Sequence, residues 1–290
     1  MVRFKVAKTD PAVADRKRPR PPRYICVAGP RTQHEGGLVV DAFRDETRDD
    51  PRPYRVMVGV LMTRRVLAGD RERHPQRYPL PAHIARIFQP DPMAINAVIY
   101  RTDQPATLAA QIRALLKTAG SNLHCVRLCD PWPPTAQLEE IRATFPQLRL
   151  AITLDRDTFH LPNGTDTTWP GEGDPIAATA DTVTKRYGTL ADDVHFDLSA
   201  GNGKHMPLVR MVEAMALVHE RCPRLGLALS GDVGPYHMQP ARAAVRALPR
   251  VASFSAGSGL RDTDDRLSPE RIRRFMAKSV RMLDYYLDAG

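Results

Sequence analysis

Residues 225–230, LGLALS, and residues 251–255, VASFS, are two short apolar runs on either side of a candidate helix, Gln239–Leu248. Both runs are bounded by turn-forming residues, and apolar side chains occupy both alternating positions. Strands that are apolar on both faces are typical of parallel sheets covered by helices. This stretch therefore predicts one strand–helix–strand unit of a parallel sheet.

The same alternation continues through the rest of the chain. Six further runs have the character of strands: Tyr24–Ala28, Tyr54–Leu61, Ile95–Tyr100, Leu123–Leu128, Leu148–Leu154 and Val194–Leu198. Segments with helical character separate them: 37–44, 81–88, 108–116, 135–145, 174–187, 208–218 and a last helix that begins at Ser268 and Pro269. From Arg23 onward, each strand–helix unit has a mean length of about 33 residues. Eight such units predict a single-domain (β/α)8 barrel over residues 23–290, with a doubly wound open sheet as the alternative.

Composition narrows the class of protein further. The hydrophobic fraction of 42% excludes wholesale disorder, and no apolar run is long enough for a membrane span. The N-terminal residues contain no apolar stretch of a signal peptide, and four cysteines make no disulfide framework. We therefore expect a cytoplasmic protein that makes no contact with a membrane.

The chain is basic, with 42 Lys and Arg against 33 Asp and Glu and a net charge of +9. Residues 1–22 form a basic, proline-rich extension. Its last residues belong to the basic run 16–23, RKRPRPPR, whose prolines and lack of apolar residues predict a solvated tail. The alternative is a tail that contacts an acidic partner. No RNA-binding motif accompanies it, so the sequence predicts no nucleic-acid partner.

Chemistry in a barrel is expected at the carboxyl ends of the strands. Two glycine-containing turns lie there, after strands seven and eight, and such turns on this pair of strands frequently bind phosphate. The predicted phosphate ligands are Ser230, Gly231, Asp232, Gly257, Ser258 and Gly259. The long connections 63–94 and 156–174 follow strands two and five, and the second of them is either a lid or a surface excursion. Other candidate substrate contacts near strand ends are Asn96, Asp130 and Asp155.

Several motifs together resemble the phosphoribosylanthranilate isomerase family. Ile25–Cys26 is similar to the opening Lys-Ile-Cys-Gly of that family, and residues 196–204, FDLSAGNGK, are similar to its Asp followed by Gly-Gly-Thr-Gly-Lys. Residues 229–235, LSGDVGP, and 255–262, SAGSGLRD, resemble its two phosphate turns, and residues 272–275 resemble its last helix. The match covers strand one and the stretch from strand six to the end. At Asp232 a carboxylate stands where the family has glycine.

The resemblance implies an Amadori rearrangement of a phosphoribosyl amine, a reaction of tryptophan biosynthesis. Asp197 would be the acid that protonates the ring oxygen, and Cys26 would be the base that removes the C2 proton. The base role requires a thiol whose pKa is lowered by a neighbouring cation, for which Lys204 is a candidate. Arg64 matches the arginine that takes the substrate carboxylate in the family.

The expected ligand is accordingly a small phosphorylated molecule, with no cofactor and no metal, bound by a monomer or homodimer. A divergent barrel is the alternative, one that binds a ligand or catalyses a different, metal-dependent reaction. In that case Asp130, Asp155, Asp197 and Asp232 would converge on one divalent cation.

Overall fold

A computed structural model describes residues 20–48, 50–72, 74–130, 132–155, 158, 174–198, 207–231 and 233–288. The strands are β1 (Arg23–Ala28), β2 (Tyr54–Thr63), β3 (Ala94–Arg101), β4 (Cys125–Leu128), β5 (Arg149–Leu154), β6 (Asp193–Asp197), β7 (Gly226–Ser230) and β8 (Ala252–Ala256). They pair in sequence order, and β8 closes on β1 in parallel. The predicted (β/α)8 barrel is confirmed.

The helices surround this sheet. They are α1 (Gln33–Thr47), α2 (Arg64–Leu67), α3 (Ile84–Ile87), α4 (Leu108–Ala119), α5 (Thr135–Thr144), α6 (Pro175–Tyr187), α7 (Leu208–Arg221), α8 (Gln239–Ala247) and α9 (Pro269–Asp288). The Ser268 hydroxyl accepts a hydrogen bond from the Arg271 backbone N–H at 3.3 Å, which makes it the N-cap of α9 as the sequence predicts. Within the described ranges, no helix is both long and apolar enough to cross a membrane.

Two elements differ in extent from their sequence predictions. The first helix is a full 15 residues, because Thr32 and Glu35 form a capping box in which each side chain bonds the other's backbone N–H. The helix predicted over 81–88 shortens to the single turn α3 after a 3₁₀ turn at Pro81–His83. The shortening is mainly at the beginning of the predicted helix, and at its other end Phe88 already has extended backbone.

Buried apolar side chains form two separate clusters. The larger one lies between the strands and the helices, whereas the smaller one fills the inside of the barrel. The inner cluster consists of Tyr24, Cys26, Met57, Ile95, Ala97, Cys125, Ala151 and Ala228. These described side chains fill the barrel below its carboxyl-terminal end, and the mouth lies above them.

The base of the barrel interior also holds a buried polar network. Arg149 and Asp193 form a bidentate ion pair, and the guanidinium carbon lies 4.9 Å from the centre of the Tyr24 ring. Burial alone would lower the pKa of Arg149, but the Asp193 carboxylate more than offsets this and raises it. The Tyr24 hydroxyl lies 2.6 Å from His195 Nε2, and burial lowers the pKa of that imidazole well below its usual value.

The basic extension meets the barrel at its last residues. Arg20 Nη2 lies 3.1 Å from His219 Nδ1 and donates to the Pro223 carbonyl at the end of α7. The Pro22 carbonyl accepts a hydrogen bond from Arg149 at 3.2 Å. The first 19 residues of the predicted tail, and almost all of the predicted lid 156–174, lie outside the described residues.

Candidate functional site

The barrel mouth contains a cavity of about 260 Å³. Every strand, or the residue that follows it, contributes to its wall, from Ala28 at the end of β1 to Ser255 in β8. The inward-facing positions alternate along each strand, so β3 presents Ile99 and Arg101, and β5 with its following residue presents Thr153 and Asp155. This alternation places polar side chains at the mouth directly above the closed apolar interior.

Four arginines line the cavity, and they reach it from different elements. Arg101 ends β3 and Arg127 lies in β4, whereas Arg77 comes from the long connection after β2 and Arg261 from the loop after β8. Burial lowers the pKa of Arg261, because its charged form is removed from water. Several cations at one cavity favour an anionic ligand.

Arg127 is the most enclosed strand arginine of the mouth, with a side chain only 7% exposed. Its Nε donates to the Thr153 hydroxyl at 3.1 Å and its Nη2 to the Ser230 hydroxyl at 2.9 Å. The same Nη2 lies 3.5 Å from Asp197 Oδ2. Two neutral hydroxyls and one carboxylate oxygen therefore surround this guanidinium, and none of these contacts is a bidentate ion pair.

Asp265 connects the two loop arginines. Arg77 donates to both of its carboxylate oxygens, at 2.7 and 2.9 Å, and Gln76 donates to one of them at 3.1 Å. Arg261 Nη1 donates to the Asp265 carbonyl at 2.7 Å. The hydrogen bonds from Arg77 hold the pKa of the Asp265 carboxyl below its usual value. We call Gln76, Arg77, Arg261 and Asp265 the arginine clasp, which joins the connections after β2 and β8 above the end of β1.

A glycine makes room for this clasp. Gly29 follows β1 with φ of +100°, and a Cβ built there would collide with Arg261 Nη2. Any side chain at position 29 would therefore displace the guanidinium from the mouth. Gly29 was not among the residues that the sequence singled out, because a glycine after a strand is usual in any turn.

Two carboxylates share the cavity with the arginines. Asp197 ends β6, and Asp155 follows β5 at the same level, since the residues before them, Leu154 and Phe196, are paired across the two strands. Neighbouring strands lie about 4.8 Å apart. The Asp155 Oδ1 accepts hydrogen bonds from the Thr158 N–H at 3.0 Å and hydroxyl at 2.7 Å, which fix its direction. The two carboxylates therefore line one cavity from neighbouring strands.

The predicted phosphate turns meet at the cavity. Ser230, Gly231, Gly257 and Ser258 all line it beside Arg261. Gly259 has a different role, because a Cβ there would lie 2.7 Å from the Val233 carbonyl oxygen, so this glycine allows the two turns to pack closely. Asp232 and Lys204 lie outside the described residues.

Cys26 does not lie at the mouth, contrary to the sequence prediction. It is the fourth residue of a six-residue strand, its side chain belongs to the inner apolar cluster, and the residue is 1% exposed. Burial raises the pKa of its thiol to about 11, although a hydrogen bond with Ser255 and the charge of Arg127 act in the opposite direction. The prediction of a thiol with a lowered pKa is therefore wrong for this cysteine.

Three other predicted contacts lie away from the cavity. Asn96 is wholly buried near the beginning of β3, where its amide bonds the backbone N–H and carbonyl of Gln89, so its placement at the mouth is wrong. Arg64 forms a bidentate ion pair with Asp103 in a neighbouring hollow of about 310 Å³. Asp130 lines the same hollow and accepts the Thr102 N–H at 2.6 Å, and burial raises the pKa of this carboxyl.

Sequence reasoning missed Arg77, Arg101, Arg127 and Cys129 at the cavity. Arg101 follows the last residue of the predicted strand, and the alternation of residues 95, 97 and 99 into the barrel would have indicated that it also faces inward. Cys129 continues the alternation of Cys125 and Arg127, and burial raises the pKa of its thiol. No signal in the sequence indicates Arg77, which reaches the mouth only through the fold of the long connection after β2.

The aspartates at the strand ends form no metal centre in the part of the chain that the structure describes. No group of three His, Cys, Asp or Glu residues is arranged to hold a metal ion there. Asp130 lies in the neighbouring hollow, whereas Asp155 and Asp197 line the mouth.

Comparison with known proteins identifies the fold. No protein-family model matches the chain, and no curated protein matches its sequence. A phosphoribosyl anthranilate isomerase from Thermus thermophilus superposes with a TM-score of 0.57 at 15% identity, over 90% of this chain and 99% of that one. An isomerase of the same name was crystallised with reduced 1-(o-carboxyphenylamino)-1-deoxyribulose 5-phosphate. It superposes with a TM-score of 0.54 at 13% identity, over 90% of this chain and 99% of that one. A ribulose-1,5-bisphosphate carboxylase/oxygenase from Pyrococcus horikoshii superposes with a TM-score of 0.53 at 13% identity, over 93% of this chain and 59% of that one. At these identities the likeness establishes the barrel fold alone.

Proposed function

We propose that this chain is a barrel enzyme that binds a small phosphorylated sugar or sugar amine at its mouth and isomerises it. The observation that carries the proposal is the composition of one cavity, in which four arginines and two strand-end aspartates surround the turns after β7 and β8. Arginine binds phosphate and carboxylate groups through charge-assisted hydrogen bonds. The inner apolar cluster beneath the cavity would keep a polar ligand at the level of the two carboxylates.

The phosphate group would occupy the turns after β7 and β8, where Gly231 and Ser258 line the cavity beside Arg261. The loop arginine would neutralise the ligand charge in a partly buried position, where electrostatic attraction is stronger than in water. A phosphoribosyl anthranilate isomerase of the same fold is known with a 5-phosphate ligand, which agrees with this class of substrate.

The proton transfers would be divided between Asp197 and Asp155. Asp197 in its acid form would donate a proton to the ring oxygen, and the bond between that oxygen and C1 would break to give an open-chain iminium ion. Asp155 would then remove the proton from C2, and the electron pair of that C–H bond would form the C1=C2 bond of an enolamine while the iminium nitrogen recovers its own electron pair. Asp155 would return this proton to C1, and Asp197 would take the enol O–H proton, which gives the ketone and restores both carboxyl groups. Arg127, 3.5 Å from Asp197, would stabilise the carboxylate that remains after donation.

Asp155 takes the base role that the resemblance implied for Cys26. The Cys26 thiol lies in the inner cluster with a pKa of about 11, so it holds its proton at neutral pH. Asp155 offers a carboxylate in the same cavity as Asp197, and carboxylates are common general bases.

Turnover of a phosphoribosyl amine, measured with purified protein and three variants, tests this assignment. Asp155→Asn and Asp197→Asn are each expected to lower kcat by about 100-fold or more, since general acid and base groups contribute 10²–10⁴. Cys26→Ala is expected to stay within about threefold of wild type, because the thiol takes no part in the proposed steps.

Calorimetric binding of inorganic phosphate to the same proteins is the control. Phosphate binding that persists in both Asn variants shows that the loss of turnover is a loss of proton transfer. An inactive Cys26→Ala protein that still folds and binds phosphate would return the base role to the thiol. Phosphate binding without turnover on any phosphorylated sugar would make the barrel a binding protein.

A further inference from the structure

A second cavity lies on the outer wall of the barrel, between α8 and α9. It has a volume of about 720 Å³ and begins at Pro235 and Tyr236, just after the turn that follows β7. A hollow of about 470 Å³ continues from it along α8 and shares Gln239, Arg242 and Tyr286 with it. We call the two together the outer groove. It is separate from the mouth, with which it shares no lining residue.

The outer groove is positively charged. Arg242 and Arg246 lie one helical turn apart on α8, and Lys278 and Arg281 lie nearly one turn apart on α9. No Asp or Glu is among the described residues that line it, and none of these four cations makes an ion pair within the described ranges. Lys278 donates to the Pro235 carbonyl at 2.6 Å, which fixes its amine at the upper end of the groove. The groove therefore favours a ligand that carries several negative charges.

Tyrosine rings accompany the cations. Tyr236 is 64% exposed and Tyr285 is 67% exposed, which is unusual for large rings on a folded surface. The Arg271 and Arg274 guanidinium carbons lie over the Tyr236 ring, 5.8 and 5.1 Å from its centre, and form cation–π contacts with it. Tyr285 lies seven residues beyond Lys278 on α9, or about 10 Å along the helix, and its ring contacts that of Tyr286 edge to face.

We propose that the outer groove binds single-stranded nucleic acid. Arginine and lysine along both helices would contact successive phosphates, and the exposed ring of Tyr285 would stack on a base. A positive groove combined with exposed rings is the arrangement that binds single strands without sequence preference. Because its residues come from two helices and a loop, the groove leaves no linear RNA-binding motif. The sequence prediction of no nucleic-acid partner depended on such a motif.

A second copy of the chain fits this groove less well. In a two-fold contact centred on it, the positively charged groove of one copy would face that of the other, and like charges repel. An acidic polypeptide would satisfy the cations but would leave the exposed ring faces without a planar partner. The combination of charge and rings therefore favours a polynucleotide.

Fluorescence anisotropy with a labelled 12-nucleotide oligouridine tests the proposal. Arg242→Ala with Arg281→Ala is expected to weaken binding at least tenfold at low salt. The double variant should also reduce the slope of log K against log salt by about 0.7 for each phosphate that the protein no longer neutralises. Tyr285→Leu keeps the bulk of the side chain but removes the aromatic face, and it should weaken binding about fivefold or more. Circular dichroism of each variant checks its fold.

The matched control removes two charges elsewhere. Arg86→Ala with Lys117→Ala changes two exposed cations on α3 and α4, far from the groove in the helix order, and should alter binding by less than about twofold. Equal losses in the control and groove variants would overturn the proposal in favour of general attraction by a basic protein, and no binding at low salt would also overturn it.

Two further outcomes assign the groove to a different partner. Polyglutamate that competes as well as oligouridine, together with an unchanged affinity of Tyr285→Leu, would mean an acidic polypeptide surface. Self-association of the wild-type chain that the Arg242 and Arg281 substitutions abolish would mean an interface between two copies. Either result overturns nucleic-acid binding.

Discussion

Buried arginines have different partners at the base and at the mouth of the barrel interior. At the base, Arg149 is 11% exposed and forms a bidentate ion pair with Asp193, whose side chain is 1% exposed. Two residues higher on the neighbouring strand, Arg127 is 7% exposed but is held by the hydroxyls of Thr153 and Ser230, with Asp197 no closer than 3.5 Å. The base neutralises its charge within the protein, and the mouth leaves charge available to a ligand.

This contrast separates stability from function within one set of inward-facing positions. A paired buried charge contributes to the fold only as long as both partners remain, since either partner alone is costly to bury. An arginine held by neutral groups retains its attraction for anions. Substitutions at the base should therefore affect unfolding, and those at the mouth should affect binding.

The largest effect is expected from Asp193→Ala at the base. The substitution leaves the Arg149 charge buried and unpaired, which costs about 3–5 kcal/mol of unfolding free energy. Urea denaturation measures the loss. The double variant Asp193→Leu with Arg149→Met removes both charges and should recover most of it, because apolar residues of similar size can replace a buried pair. A double variant no more stable than Asp193→Ala would show that the pair itself is not the cause.

A smaller effect, on binding, is expected from Arg127→Met at the mouth. Inorganic phosphate should bind about 10–100-fold more weakly, since a charge-assisted hydrogen bond to a ligand contributes about 1.5–3 kcal/mol. Calorimetry measures the affinity, and urea denaturation should show a smaller change than for Asp193→Ala. The variant Arg113→Met, at an exposed position of α4, is the control for loss of one positive charge. A large loss of stability in Arg127→Met with an unchanged phosphate affinity would contradict the proposed difference between the base and the mouth.

The smallest effect is expected from Asp265→Asn in the arginine clasp. Removing the carboxylate makes the mouth more positive, which would favour phosphate binding by at most about 1 kcal/mol, the contribution of a surface charge. Arg77 also loses the carboxylate that positions it, and its hydrogen bonds to phosphate contribute about 1.5–3 kcal/mol to binding. We therefore expect phosphate affinity to fall about 3–10-fold. The exposed neighbour Asp264→Asn is the control, and tighter binding by Asp265→Asn would show that charge outweighs positioning.

The same carboxylate gives this prediction a pH dependence. Because Arg77 holds the pKa of Asp265 below its usual value, the clasp is complete above the ordinary range of a free aspartate. It is lost only as the pH falls through that lower pKa. The ratio of wild-type to Asp265→Asn phosphate affinity, in which the titration of phosphate itself cancels, should thus be constant from about pH 5 upward and approach one in more acidic solution.

The alternation of strands and helices was readable because each strand is a short apolar run and each unit has the same length. The positions of Asp155, Asp197 and the turns after β7 and β8 followed from it, since the carboxyl ends of parallel strands meet at one edge. All of these residues line the cavity except Gly259 and the undescribed Asp232.

The layer of the barrel in which a strand residue lies could not be predicted from the sequence in the same way. Both faces of a parallel strand are buried, so the sequence around Cys26 and Asn96 carries no mark of which end of the barrel each side chain reaches. The resemblance to a family motif indicated Cys26 as a catalytic thiol, but β1 has two further residues after it, and the thiol lies one layer below the cavity.

The sequence by itself determined the (β/α)8 barrel and the edge at which its chemistry would be found, because periodic apolar patterns and strand direction are local properties of the chain. Only the tertiary structure decided which cations reach the mouth. Arg77 and Arg261 are separated by 184 positions and meet at Asp265, whereas Arg64 is taken by Asp103. Such pairings depend on how two connections cross in space, and no local pattern of residues encodes that crossing.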